Sequence, residues 1–348
     1  MATRLWLGHW FSTAYHFVQE VRHNADGRAF EIFGTSTNPR SVVLQACDHA
    51  GSEPEANDPH FVEFCLDYCQ RHHIEVFLPG YRRLLHLAPH QAEFERLGTR
   101  LLLSADFATL SLLDDKVNSY VACQQQQLLA VPAYYPVRTL AAFREAYHQL
   151  QQQGHQICFK PRHATGGAGF RIIDEHYAHW RSLYSIAGAR LSFAQAESLL
   201  ATAPGEFPEL LVCEYLNGAE YSIDCLAYQG QLYAAIPRRK IDGRLRYLEH
   251  NPELHAIADR VAKAFKLSYL FNVQVRCCRQ GIPKLLEINP RMPGGMYFSA
   301  ATGLNLPYLA VKLALGEAIT VAEPQLNQWV SEVEQVLPLM PNLGQEPI

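Results

Sequence analysis

The segment Lys284-Leu-Leu-Glu287-Ile-Asn289-Pro290-Arg291-Met-Pro-Gly294-Gly295 gathers residue types that act on anions and hard cations. Successive side chains of a strand point to opposite faces, so the Glu287 carboxylate and the Asn289 amide share one face. Leu286 and Ile288 are then directed to the core. Upstream, Leu270 to Cys277 reads as a second strand with Asn272, Gln274 and Arg276 on its polar side. The connection Cys278-Arg-Gln-Gly281-Ile-Pro283 has hairpin turn chemistry and, counted symmetrically, sets Gln274 opposite Glu287. Three side-chain oxygens would converge beside the Arg291 guanidinium. They suit magnesium, which is usually held by one or two carboxylates plus substrate phosphates.

A second constellation is Thr165-Gly166-Gly167-Ala168-Gly169, between a strand from Gln156 to Pro161 and one from Phe170 to Ile173. Its glycines let backbone N–H groups approach a phosphate, and Lys160 precedes them on the first strand. The stretch is not a P-loop, and a surface hairpin fits it equally well. Glu214-Tyr215-Leu216 ends a buried strand, with Glu220 and Asp224 on the next. Backbone groups at 214 and 216 could read the edge of a flat heterocycle and an acid could bind ribose hydroxyls, or these are ordinary strand-end residues. Arg238-Arg239-Lys240 follows the apolar strand Gln231 to Pro237 and reads as a solvated turn or as a pocket for phosphate or carboxylate.

The elements that must position these groups fall in sequence order. Short apolar runs at Leu5–Leu7, Phe30–Phe33, Val42–Ala46, Val76–Leu78 and Leu101–Leu103 alternate with helical patterns at Pro59–His72 and Gln91–Leu97, implying a small parallel α/β domain over 1–104. Its first loop lacks G-x-G-x-x-G, so a dinucleotide is not supported. Residues 105–129 read as a helical connector containing Asp114-Asp115-Lys116, broken by Val131 to Pro136; 130–213 as a small subdomain with the glycine-rich loop and a helix at Leu140–Leu150; and 214–348 as a C-terminal domain. Helices are expected at Asn251–Leu267 and Leu306–Leu315, each opened by an Asn and an early Pro. The tail beyond Glu317 carries no signal.

Composition excludes several classes. Of 348 residues 48% are hydrophobic, and the net charge of −4 gives no basic excess for nucleic acid. No apolar run approaches the roughly 20 residues of a membrane helix, and the start turns polar too soon for a signal peptide. Nine cysteines and sixteen histidines show no zinc spacing, so reduced thiols in a cytoplasm are the simplest reading.

Taken in order, Lys116, Lys160 with its glycine loop, Glu214-Tyr-Leu, the Arg238–Lys240 cluster and Gln274…Glu287-x-Asn289-x-Arg291 resemble the ATP-grasp superfamily from about Asp114 to Gly316. The resemblance implies an α/β and α+β architecture: an N-terminal parallel α/β domain, a small lid and a C-terminal antiparallel-sheet domain. It implies that Lys116 and Lys160 contact ATP and that Thr165, Gly166, Gly167 and Gly169 close over its phosphates. By the same likeness Glu214, Tyr215 and Leu216 contact adenine, and Glu220 the ribose. Gln274, Glu287 and Asn289 would hold Mg²⁺, or Mn²⁺ in its place. Arg291 would stabilise phosphoryl transfer, with Lys240 or Arg239 near the γ-phosphate or acceptor. Gln at 274 resembles carbamoyl-phosphate synthetase, where other members carry an acid. The implied activity joins a carboxylate, activated as an acyl phosphate, to an amine, with amino-acid or peptide-like substrates. A bicarbonate-using carboxylase and a non-catalytic ATP-binding protein are the alternatives. No nucleic acid or membrane partner is implied, and a homodimer is compatible.

Overall fold

The computed structural model describes residues 2–164, 166–177 and 188–339. It comprises two compact units: Met1–Leu112 with Tyr221–Gln274 and Ile288–Ile348, and Leu113–Glu220 with Val275–Glu287. In chain order the first unit opens with β1 (Thr3–Leu7), α1 (Ala14–Arg22), β2 (Phe30–Ser36), β3 (His49–Ser52), α2 (Phe61–His72), β4 (Val76–Leu78), α3 (Leu84–Leu87), α4 (Gln91–Arg96), β5 (Arg100–Leu101) and α5 (Phe107–Asp114). The five strands form a parallel sheet in the order β3-β2-β1-β4-β5. The helix α1 forms because Ala14, Phe17, Val18 and Val21 recur at helical spacing and are all buried.

Two expectations for this domain change. Val42–Ala46 is a 3-10 turn, not a strand, and the third strand is His49–Ser52. A short apolar run satisfies either geometry, and here it covers the sheet with Val43, Leu44 and Ala46 buried. The last strand is only Arg100–Leu101, although Leu102 and Leu103 are buried as well.

The second unit follows with α6 (Lys116–Gln125), β6 (Tyr134–Val137), α7 (Leu140–Gln152), β7 (Ile157–Pro161), β8 (Arg171–Ile173), β9 (Arg190–Leu191), α8 (Phe193–Leu200) and β10 (Leu210–Glu214). Its sheet runs β6-β10-β7-β8-β9. The Pro-containing stretch expected as a break supplies β6 instead. Pro136 is tolerated because β6 is an edge strand. Phe143, Leu150, Phe159 and Val212 form the core of this unit.

The chain then adds β11 (Glu220–Tyr228), β12 (Gln231–Asp242), β13 (Leu245–Leu248), α9 (Pro252–Ala264), β14 (Tyr269–Cys277), β15 (Pro283–Asn289), α10 (Leu306–Ala314) and β16 (Gln328–Val330), with strand order β15-β14-β11-β12-β13-β16. Asn251 and Asn305 cap α9 and α10, their side chains accepting from the Leu254 and Tyr308 amides. Gly281, at φ 81°, closes the β14–β15 turn. Within the first unit one core joins Leu5 and Val18 to Leu226, Ile236 and Val311. Each fully buried Leu or Val there stabilises by about 1.5–3 kcal/mol. The tail is not silent, because Gln328–Val330 pairs antiparallel with Arg246–Leu248. Among the described residues no helix is long and apolar enough to cross a membrane.

Candidate functional site

In the second unit the loop after β7 and the start of α6 are built together. Asp115 caps α6, accepting from the Val117 and Asn118 amides at 2.9 and 3.1 Å. Its carboxylate also receives the Arg162 guanidinium at 2.6 Å. Burial opposes the Asp115 charge, but Arg162 and the capping amides hold its pKa below the usual carboxylate range. Arg162 pairs with Glu209 as well. This fixes Lys116, the first residue of α6, whose ammonium donates to the Ala164 carbonyl at 2.8 Å and the Arg162 carbonyl at 3.3 Å. Lys116 is thus tethered to the root of the glycine-rich loop.

Lys160 projects from β7 and donates to the Tyr120 hydroxyl at 3.0 Å, which in turn donates to the Leu286 carbonyl at 3.0 Å. Burial pushes the Tyr120 phenol up to about 12, so it stays neutral and relays this hydrogen bond. Burial is the largest influence on Lys160 and disfavours its charge, but Tyr120, Cys213 and Cys158 together outweigh it and the ammonium persists. For Lys116 burial dominates and lowers the pKa, Glu287 opposing and Lys160 reinforcing the shift. Two lysines and the Glu287 carboxylate therefore share one electrostatic neighbourhood.

The loop has the conformation its glycines allow: Gly166, Gly167 and Gly169 lie at φ 64°, 75° and 73°, and all three are exposed. A Cβ on Gly169 would lie 2.6 Å from Pro161 Cγ. Thr165 lies outside the described residues.

Glu214 is buried, and its carboxylate is occupied by Lys284 Nζ at 2.6 Å and the Ala133 amide at 3.2 Å. Its own amide donates to Ala133, and the Tyr215 amide to Gln156. The Glu214 side chain is therefore a structural post, and its amide is already paired. Leu216 is buried, and the Tyr215 ring lies 5.1 Å from the Arg276 guanidinium, which also pairs with Glu220 at 3.5 Å.

On β15 the burial differs from simple alternation. Ile288 is buried as expected, but Leu286 is only half-buried and Leu285 is fully buried. At this end of the strand the Leu285 amide donates to the Ala130 carbonyl, so the chain before β6 lies along it. Glu287 is half-buried, as are Gln274 and Asn289. In the first unit Asn289 Oδ1 accepts from Arg291 Nη2 at 3.0 Å, while the Arg291 guanidinium stacks 4.4 Å over the Tyr81 ring.

The basic run lies within β12 rather than in a turn after it, and its three members differ. Arg238 is buried and holds the fully buried Asp224 through two bonds of 3.2 Å. Asp224 also accepts from Asn272 at 2.9 Å and Ser299 at 2.7 Å. The Arg238 fork lies flat against Gly295, where any Cβ would come within 2.8 Å. Arg239 is half-exposed, 3.5 Å from Glu249 and over Tyr247. Lys240 is exposed, in register with Arg246 of β13. A narrow cleft of only about 10 Å³ in the same unit is lined by Thr13, His16, Glu20, Met292, Pro293 and Gly294, among others. A larger cavity, about 700 Å³, at the C-terminal ends of α9 and α10 contains none of the candidate residues.

Reasoning from sequence missed Tyr120, Asp115, Arg162, Tyr81 and Arg238 as supports. For Asp115 the available signal was its place directly before a helical run, in a capping position. All nine cysteines are free, and among the described residues no three His, Cys, Asp or Glu side chains gather as a metal cluster.

A parallel α/β sheet followed by two further sheets is the ATP-grasp fold. Residues 206–336 match the model of the family described as ATP-grasp in the biosynthetic pathway with Ter operon. The chain is 34% identical over 125 residues to carnosine synthase 1 of Gallus gallus, covering 31% of this chain and 13% of that protein. It is 28% identical over 219 residues to carnosine synthase 1 of Homo sapiens, covering 54% and 24%. It therefore spans a quarter or less of these relatives. Its fold is similar to N5-carboxyaminoimidazole synthetase from Staphylococcus aureus, with TM-score 0.67 at 11% identity over 93% of this chain and 81% of that one. L-amino acid ligase from Bacillus licheniformis gives 0.62 at 14% identity, over 90% and 74%.

Proposed function

We propose that the chain is an ATP-dependent ligase that activates a carboxylate as an acyl phosphate and joins it to an amine, releasing ADP and phosphate. The observation that carries this reading is the neighbourhood of Lys116, Lys160 and Glu287 at the root of the glycine-rich loop. Two ammonium groups and a loop of accessible amides suit a polyphosphate, and phosphoryl transfer depends mainly on positioning and charge neutralisation. The likeness to proteins named carnosine synthase and L-amino acid ligase favours amino-acid or peptide-like substrates over bicarbonate.

The donor chemistry fits magnesium. Gln274, Glu287 and Asn289 offer hard oxygens, and Arg291 orients Asn289 through its Oδ1. Bound there, Mg²⁺ or Mn²⁺ would neutralise phosphate charge. Lys116 and Lys160 would bind phosphates, Gly166, Gly167 and Gly169 would cover them, and the 214–216 backbone with Glu220 would hold the nucleoside. Arg291 would stabilise the transferred group, with Arg239 or Lys240 at the acceptor. In this reading 105–129 is a connector, 130–213 a lid that excludes water from the acyl phosphate, and the setting is cytoplasmic.

Purified protein incubated with ATP, Mg²⁺ and mixed amino acids should release ADP and phosphate in step with a new amide mass. Formation of AMP and pyrophosphate would overturn the proposal.

A further inference from the structure

The strand order β3-β2-β1-β4-β5 places a topological switch point between β1 and β4, where the loops leaving the two strands diverge. Open α/β sheets bind ligands in the crevice at such points. Here the crevice is constructed in detail. Gly8 and Gly80 bring the two loops into backbone contact: a Cβ on Gly80 would overlap the His9 carbonyl oxygen, and one on Gly8 would lie 3.3 Å from the Gly80 amide nitrogen.

Beneath them lies a buried ion pair that the phosphate chemistry does not use. Glu53 meets Arg83 at 2.5 Å, and both side chains are less than 5% exposed. Glu53 also accepts the His9 amide at 3.0 Å and the Thr35 hydroxyl. Arg83 Nη2 is buried without an acceptor among the described residues. Desolvating such a pair costs several kcal/mol, an expense without a purpose in a plain loop support.

His9 is held in one tautomer. Its Nδ1 faces the Thr37 amide at 3.3 Å, which can only donate, and the hydroxyls of Ser36 and Thr37 at 3.0 and 3.2 Å. Burial, and after it Arg83, lower the His9 pKa, with Glu55 opposing and Arg82 reinforcing. The ring is therefore neutral, with its proton on Nε2, and no acceptor meets Nε2 among the described residues. Arg82, on the loop after β4, is exposed and forms no ion pair among them. Its neighbour Tyr81 carries Arg291 on its ring.

Resting on the ligase reading, chemistry then says what this crevice would hold. When an amino acid serves as the amine, its own carboxylate takes no part in the bond formed and needs a cationic subsite apart from the phosphates. We propose that His9 Nε2–H and the Arg82 guanidinium bind the spectator carboxylate of an amino-acid amine substrate, so that these loops select amino acids over simple amines.

The test observes the His9 ring by ¹⁵N NMR on full-length protein, assigned with His9→Gln, as each common amino acid is titrated in. The decarboxylated amine of any responder follows, and ADP formation is measured in parallel samples with ATP and Mg²⁺. At least one amino acid should shift His9 Nε2, its amine should not, and Arg82→Ala should weaken that binding about tenfold or more. In turnover, Arg82→Ala should raise KM for the amino acid with kcat retained. No shift with any amino acid, or equal shifts with the amine, overturns the subsite. ADP formation without a His9 response overturns the subsite alone. A His9 response without any ADP overturns the ligase reading and leaves the subsite standing.

Discussion

Replacing Arg238 with Met tests the internal support of the first unit. Asp224 is fully buried and accepts four hydrogen bonds, two of them from Arg238 at 3.2 Å, and Arg238 is its ion-pair partner. Met fills much of the volume but leaves a buried carboxylate with only the Asn272 and Ser299 donors. Breaking a buried pair from one side costs about 3–5 kcal/mol, because the remaining charge is uncompensated. Two lost charge-assisted hydrogen bonds at about 1.5–3 kcal/mol each lead to the same range. The Asp224→Asn/Arg238→Met double variant removes both charges, so it should be more stable than Arg238→Met alone. Urea unfolding followed by tryptophan fluorescence reports mainly on this unit, since three of the four tryptophans, Trp6, Trp10 and Trp329, belong to it, and Trp180→Phe as background removes the fourth. A loss below about 1 kcal/mol in the single variant, or a double variant that merely sums its parents, would refute the reasoning.

Three further outcomes follow from the same geometry. Gly80→Ala drives a Cβ into the His9 carbonyl oxygen and should cost about 1–3 kcal/mol, measured by the same unfolding curves. Tyr120→Phe removes the oxygen that receives Lys160, so KM for ATP should rise several-fold in a steady-state assay while the fold survives. Burial depresses the Lys116 pKa, so its charge is complete below that value and is lost as pH rises through it. Nucleotide affinity measured by calorimetry should fall on the alkaline side earlier than an ordinary lysine would dictate, and Lys116→Arg should remove that fall, because Arg stays charged.

The parts legible in the sequence were those encoded locally. The helices α9 and α10 announce themselves by an Asn cap, a following Pro and a stripe at 3.6 spacing, and the β14–β15 hairpin by two short strands around Gly281. Val42–Ala46 failed because five residues cannot distinguish a strand from a 3-10 turn when both are buried. The supports of the site were illegible for a different reason. Asp224 finds Arg238, Asn272 and Ser299 at separations of 14, 48 and 75 residues, and Lys116 finds Ala164 at 48, so no periodicity records these pairings.

One local sign did exist. In Ile223-Asp224-Cys225-Leu226-Ala227 every flanking residue is apolar and buried, so neither face of β11 meets water there. A strand covered on both sides reads as a continuous apolar run, and a carboxylate inside it cannot be a solvated strand-end acid. It must have a buried cationic partner, because an unpaired charge in that position costs several kcal/mol. The first Arg of Arg238-Arg239-Lys240, directly after the apolar stretch to Pro237, was the nearest cation able to reach it. Asp224 therefore belongs to the scaffold under Gly295 rather than to a ribose. Of the acids on β11, Glu220, half-buried beside Arg276, remains the candidate for the nucleoside.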